Sequence, residues 1–396
     1  MSFKIAIDST FLSNKGKGAS RYVNSLLTHL APLDHLNQYH VFVDRRFATS
    51  RLPQQDNFHY RAVHFRKNLY WRLVQFPSIL RSEHFDIVHL PSESRCMQTP
   101  CPCVVTVHEI ARTNWRLGRG RGPYQWLAHI LNEEVFRRTI PKARAIIAVS
   151  TATRDELLRL YPVETQRVTV IHEAPERIFF EESTKTEREK VREQLGANEG
   201  YILSFATGDS RENVDVVLET YARVRARLRQ KLVFCGANPN VRRELKERCQ
   251  QRGIEDRVVV LDYVSDDVLT GLYGAADLYV DISYYEGFGL QACEAMARGI
   301  PVVASNIPAF IEVLGSAAKL VPVEDAEALA AAMTNILENQ EEWQERSRLS
   351  RERAREFSWR RGGEETLAIY HAVANQKKTV GNSLGAGGPW GLGARD

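Results

Sequence analysis

The sequence has no run approaching the roughly 18 apolar residues that a membrane-crossing helix needs. It also lacks a charged leader followed by an apolar core: Met1 runs almost directly into the strand-like Lys-Ile-Ala-Ile-Asp. A cytosolic location is the expectation that follows. Cysteine is scarce, with six in 396 residues. Three of them crowd together as Cys96, Cys101 and Cys103, but Cys-Pro-Cys is not the paired Cys-x-x-Cys spacing of structural zinc, so free thiols are expected. No long basic run occurs, and the formal charge is only +4. That balance favours anionic ligands or an anionic membrane surface without calling for nucleic acid. Residues 376–396 are glycine-rich with little to bury and are expected to be disordered.

What is present suits two lobes. At 396 residues with 43% hydrophobic content, the chain is too long for one ordinary core and fits two domains of roughly 150 to 200 residues. Short β-rich apolar runs alternate with helical patterns. One set is expected at 3–8, 39–43, 60–65, 85–89, 103–107 and 144–149, the other at 201–206, 231–235, 257–261, 277–282, 301–304 and 318–321. Such alternation predicts an α/β protein with two parallel, doubly wound, Rossmann-like sheets. The boundary is placed near residue 175, and the charged stretch 181–199 reads as a linker with the first helix of the second lobe.

One stretch, YYEGFGLQACEAMARGIPVVAS at 284–305, carries the chemistry. A strand is expected before it, Gly287 and Gly289 break that strand, a helix is expected from Leu290 to Arg298, and Gly299 and Pro301 stop the helix. A glycine-rich loop entering a helix presents amides and a dipole suited to phosphate. Glu286 and Glu294 flank that point. Carboxylates there make sense as acceptors for hydroxyls on either side of a diphosphate, as in a ligand with a sugar at each end. The spacing alone equally fits a loop acid followed by a solvated helix residue.

The whole string, from Glu-Gly-Phe-Gly-Leu to Pro-Val-Val-Ala-Ser, resembles the donor-site signature of retaining glycosyltransferases of family 4, which have the GT-B fold: two Rossmann-like domains facing across a cleft, with a C-terminal helix crossing back to the first. The resemblance implies that Glu286 contacts the transferred sugar, that the loop amides of Gly287, Phe288, Gly289 and Leu290 hold sugar and phosphate, and that Glu294 takes the ribose diol. In the first lobe, NKGKGASRYVNSLL is similar to the family's Gly-x-Gly-Arg-Tyr loop with Gly18, Arg21 and Tyr22 in register, and Ser20 standing where the second glycine usually is. VVTVHEI places His108 where the family has a His-Asp pair near the reacting sugar, with Glu109 replacing the aspartate; on position alone His108 equally suits a structural role. IIAVS, ending at Ser150, also fits the pattern. FSWRRGGEETLAIYHAV resembles the crossover helix, giving expected units of 1–175 with 357–375, and 176–356.

One departure bears on chemistry. Where relatives read Arg-Lys-Asn, with the Lys on the donor diphosphate, this chain has Arg211, Glu212 and Asn213. A glutamate facing the diphosphate would reverse an attraction of roughly 4 kcal/mol at 4 Å and an effective dielectric near 20. Glu212 is therefore expected to turn away or to pair with an arginine, leaving Arg211 to supply the charge. The implied reaction is transfer of a hexose from a nucleotide diphosphate sugar to a hydroxyl with retained configuration. No nucleophile stands out for a double displacement, so front-face displacement is favoured. The chain has no Asp-x-Asp, and neither a metal nor a separate cofactor is expected. For the acceptor, 111–144 interleaves Arg112, Arg116, Arg119, Arg121, Arg137, Arg138, Lys142 and Arg144 with Trp115, Tyr124 and Trp126. It reads either as a seat for a saccharide or lipid-linked acceptor at the inner membrane face or as a solvated helix pair; nucleic acid is disfavoured. The competing functional class is a catalytically silent homologue that binds a nucleotide sugar or a partner transferase.

Overall fold

The structure, a computed structural model, describes residues 2–12, 18–63, 70–92, 99–110 and 133–384, with side chains as far as Asn375. The first sheet comprises β1 Lys4–Ser9, β2 Gln38–Asp44, β3 Phe58–Val63, β4 Ile87–Leu90, β5 Cys103–Val107, β6 Ala145–Ala148 and β7 Val168–Val170. Its order is β3-β2-β1-β4-β5-β6-β7, and every pair is parallel. The second comprises β8 Tyr201–Phe205, β9 Lys231–Cys235, β10 Val258–Val260, β11 Leu278–Asp281, β12 Val302–Ser305 and β13 Lys319–Val321, in the order β10-β9-β8-β11-β12-β13, again parallel. β4 and β5 are buried at every residue. That is the signature of a parallel strand covered by helices on both faces, and it explains why these strands read as unbroken apolar runs.

All the expected strands form, with ends displaced by a residue or two. β7 was not expected. It is only three residues long, too short to show alternation. Of the helices, five matter below: α1 Gly18–Leu30, α2 Thr151–Leu160, α3 Leu290–Ala297, α4 Pro308–Val313 and α5 Trp359–Leu384. Among the described residues no helix is long and apolar enough to cross a membrane. The disorder expected from 376 is corrected as far as Leu384, where the backbone is still helical: Gln376, Lys377 and Lys378 are good helix formers and extend an already nucleated helix. Residues 385–396 lie outside the described residues, as do Cys96 and most of 111–144. Cys235, Cys249 and Cys293 are free thiols.

In both sheets chain order reverses at the first strand, β1 in one and β8 in the other, so the crevice beside each opens at the C-terminal strand ends. Every candidate side chain but those on helices follows such an end: His108 and Glu109 after β5, Ser150 after β6, Arg211 and Glu212 after β8, Glu286 after β11. The crossover helix α5 packs on α1 and reaches β4. Tyr370 on α5 places its hydroxyl 2.6 Å from Nδ1 of the fully buried His89, whose Nε2 lies 2.9 Å from the Thr106 hydroxyl. Burial pushes the His89 pKa down to about 3. A neutral ring satisfies both bonds because each hydroxyl can donate or accept. Tyr370→Phe strands one buried ring nitrogen and should cost about 1–3 kcal/mol, read as a lower midpoint of thermal unfolding against the parent chain.

Candidate active site

The loop after β11 turns at Gly287 and Gly289 for two different reasons. Gly289 precedes α3 with φ of 84°, a left-handed backbone, and a Cβ there would lie 2.4 Å from the Phe310 ring. Both facts require glycine. At Gly287 the constraint comes from the other lobe: a Cβ would sit 1.7 Å from the carbonyl oxygen of His108. The Gly287 carbonyl accepts from the Ser150 hydroxyl at 2.6 Å and the Thr153 hydroxyl at 3.3 Å. The Tyr285 hydroxyl accepts from the Ile110 amide at 3.0 Å. The donor-type loop of the second lobe is thus seated backbone-first on the strand ends of the first.

A carboxylate reinforces this contact from α4. Glu312 accepts from the Thr151 and Ala152 amides at 2.7 and 2.9 Å, capping α2 across the lobe boundary, and from His172 Nε2 at 2.8 Å. Burial alone would raise its pKa, but the His172 bond and the two amide bonds outweigh it and hold the pKa near about 2.

Two arginines cross the cleft in opposite directions. Arg21 on α1 grips Glu294 on α3 through both guanidinium terminal nitrogens, the Nη1 to Oε2 bond being 3.2 Å, and lies 3.8 Å from Asp266. Arg211, following β8, reaches back to Glu109 at 2.5 Å and to Asp209 at 3.1 Å. Glu294 is 0% exposed, which excludes the solvated-helix alternative. Burial pushes its carboxyl up to about 7, with Arg21 opposing. Burial pushes Glu286 up to about 8, Arg211 opposing and Asp281, Glu109 and Glu212 adding to it. Among the described residues Glu212 pairs with no arginine. Its oxygens accept from the Thr207 amide at 2.8 and 3.1 Å and from the Thr207 hydroxyl at 2.8 Å, and burial raises it to about 7 against those bonds. Among the described residues no three His, Cys, Asp or Glu side chains are grouped to hold a metal ion.

Glu286, Gly287, Gly289, Leu290 and Glu294 therefore lie around the start of α3, with Arg211 on the same lobe and His108 and Glu109 on the facing wall. Phe288 is placed differently. Its side chain is 3% exposed and packs edge-on to Phe357 and beside His172, so only its backbone faces outward. Gly18 is exposed and nothing lies within 4 Å of its Cβ position. It opens α1, the helix that carries Arg21, and no described residue touches its Cβ position. Ser20 is buried with its hydroxyl 3.4 Å from the Phe11 carbonyl. Two residues escaped the sequence reading. Glu173 bonds His108 Nδ1 at 2.8 Å, and Glu312 caps α2. Glu173 follows β7, so recognising that strand would have placed it at a C-terminal sheet edge.

Two outcomes follow from this geometry. Gly287→Ala cannot reach the His108 carbonyl without a clash, so the lobes should sit further apart, seen as a larger radius of gyration in small-angle scattering than for the parent. The raised carboxyls set a pH dependence. Glu212, Glu286 and Glu294 hold protons in the fold over a range, from about 4.5 up to 7 or 8, where the unfolded chain has released them. The folded state then binds more protons, so stability falls as pH rises through that window and levels off above it. Glu212→Gln should remove part of that decline, measured as a smaller loss of urea midpoint between about pH 5 and pH 8.

Comparison with known proteins agrees with this architecture. The family model Glycosyltransferase Family 4 matches residues 16–174, and Glycosyl transferases group 1 matches residues 185–356. The chain is 30% identical over 244 residues to the O-antigen chain mannosyltransferase B of Escherichia coli, a match covering 60% of this chain and 63% of that protein. It is 28% identical over 315 residues to the MMP alpha-(1->4)-mannosyltransferase of Mycolicibacterium hassiacum, covering 73% and 71%. The match thus spans under two thirds of the first relative. In structure it resembles Anabaena HepE in complex with UDP-glucose, with a TM-score of 0.72 at 18% identity over 93% of this chain and 100% of that one. Two parallel-sheet lobes closed by a returning C-terminal helix, with one family model on each lobe, place the chain in family 4 of the glycosyltransferases, in the GT-B fold.

Proposed function

We propose that the protein is a retaining glycosyltransferase that moves a hexose from a nucleoside diphosphate sugar to a hydroxyl acceptor, in the synthesis of a surface polysaccharide or glycolipid. The observation that carries this reading is that Glu286 and Glu294 lie on either side of the α3 start, with the Gly287 backbone between them seated against the His108 carbonyl of the other lobe. The start of α3 offers amides for a diphosphate. Glu294 would take the ribose diol and Glu286 the sugar hydroxyls, while Gly287, Phe288, Gly289 and Leu290 contribute backbone only. Arg211, 18% exposed at its side chain and beside Glu109, is the cation for the leaving diphosphate.

Catalysis on this reading rests on placement and on stabilising the leaving group, with no metal or separate cofactor invoked. Residues 1–175 with 357–375 form the acceptor side and 176–356 the donor side. The lobes would open to admit the donor and close on it. Mannose is a reasonable first donor sugar, since two similar proteins are named mannosyltransferases. The acceptor side, including the basic stretch 111–144, is where a saccharide or lipid-linked acceptor and a peripheral cytoplasmic membrane contact would lie.

A second reading, a silent homologue acting as a regulatory or structural subunit, is favoured by one observation: Glu294 is already taken by Arg21. A panel of uridine, guanosine and adenosine diphosphate sugars separates the two. Thermal stabilisation with slow donor hydrolysis is the expected result, whereas stabilisation without any hydrolysis would favour the silent subunit. With the stabilising donor in hand, Glu294→Ala should weaken both the free nucleoside diphosphate and the intact donor by at least about tenfold, some 1.4 kcal/mol. Glu286→Ala should spare the nucleoside diphosphate. Calorimetric titration of both ligands reads this out, and equal losses in Glu286→Ala would overturn the division of roles.

A further inference from the structure

Two histidines of the first lobe, His89 and His108, have opposite hydrogen-bond surroundings. His89 lies between two hydroxyls, which suit a neutral ring. His108 lies between two acceptors: its Nδ1 is 2.8 Å from the Glu173 carboxylate, and its Nε2 is 3.1 Å from the Pro91 carbonyl. A carbonyl oxygen only accepts, so Nε2 must carry a proton. Were the ring neutral, Nδ1 would then turn a lone pair toward a carboxylate 2.8 Å away, which is repulsive. A proton therefore lies between Nδ1 and Glu173, and imidazole is the more basic of the two groups.

The surroundings do not undo this. Glu173 is 5% exposed, so water does not screen the pair. Tyr22 on α1 meets the His108 ring edge-on at 4.7 Å between centroids. Tyr22 and Cys293, which also face Glu173, are kept neutral by burial. His89 on β4 is neutral as well. Glu294 on α3 is paired with Arg21 of α1, and Glu109, next in the chain to His108, with Arg211, while burial raises the Glu286 carboxyl to about 8.

We propose that Glu173 is a positioning residue that keeps His108 doubly protonated and fixed in orientation, so that His108 meets the donor as a fixed positive charge and not as the base that takes the acceptor's proton. This rests on the transferase reading for its consequence, though not for its geometry. With no lone pair on either ring nitrogen and both N–H groups engaged by Glu173 and Pro91, His108 can stabilise charge on the departing diphosphate only through its own positive charge. The acceptor's proton must leave by another route, for which the departing phosphate oxygen is the available acceptor in a front-face displacement.

The test uses the full chain labelled with 15N-histidine, with the His108 signals among the eleven histidines assigned by their loss in His108→Gln. At about pH 7.5, above the ordinary histidine pKa, both His108 nitrogens should show imidazolium shifts. In Glu173→Gln, which preserves size, one nitrogen should become unprotonated. With the donor identified by the panel above, Glu173→Gln should lower kcat while leaving donor KM nearly unchanged. Its kcat should fall further by about tenfold per pH unit above the lowered His108 pKa, and Glu173→Asp should recover part of the loss. A neutral His108 in the parent, or an unchanged spectrum and pH profile in Glu173→Gln, would overturn the proposal. Parent spectra as expected from a chain that turns over no donor would overturn the transferase reading and leave the Glu173–His108 pairing standing.

Discussion

The two lobes exchange one arginine each, and the geometry of the cleft depends on that exchange. Arg21 leaves the first lobe to meet Glu294 in the second, and Arg211 leaves the second to meet Glu109 in the first. Burying charge is costly unless it is paired, and among the described residues this cleft contains more carboxylates than arginines. Glu294 and Glu109 are held by guanidinium groups, Glu173 by His108, and Glu212 by an amide and a hydroxyl. Among the described residues Glu286 has no such dedicated partner, and burial among like charges pushes its carboxyl furthest, up to about 8. Closure therefore relies on a few paired groups and on backbone fitted against backbone at Gly287.

That arrangement gives the proposed donor a defined exchange to make. A ribose offers O–H donors where Arg21 now offers N–H donors, and sugar hydroxyls offer the same to Glu286. Replacing a guanidinium at Glu294 by hydroxyls releases a cation inside a cleft that then contains a diphosphate. Binding energy would thus be redistributed among existing charges, with little new charge buried. In a low-dielectric site this ordering is worth more than it would be in water, because the groups are fixed before the ligand arrives.

The fold was largely legible because parallel strands buried on both faces announce themselves as apolar runs, as at Val104–Val107 and Val302–Ala304. β7 was not legible, since three residues carry no period, and with it went Glu173. The Glu286 to Glu294 loop was visible as glycine punctuation between a strand and a helix, but its spacing could not separate a solvated helix acid from a buried one. That distinction depends on Arg21, which lies 273 positions away in sequence. Phe288 shows the reverse. Its place in the string suggests ligand contact, whereas its side chain fills the core between His172 and Phe357, and no local pattern distinguishes the two.

The substitution at Glu212 resolves in the same physical terms. A carboxylate at that position is tolerable only if it does not face an anion, and here the short helical turn at Ser210–Glu212 directs it back onto Thr207. The same turn is closed by Asp209, whose side chain accepts the Arg211 amide at 3.0 Å, and by Asn213, whose left-handed backbone at φ of 48° starts the next helix. Asparagine adopts that conformation more readily than most residues. Neighbouring residues on so tight a turn point in different directions, so turning Glu212 inward sends Arg211 into the cleft toward Glu109. The carboxylate then secures the loop, and the positive charge beside it takes the position that would face the proposed donor.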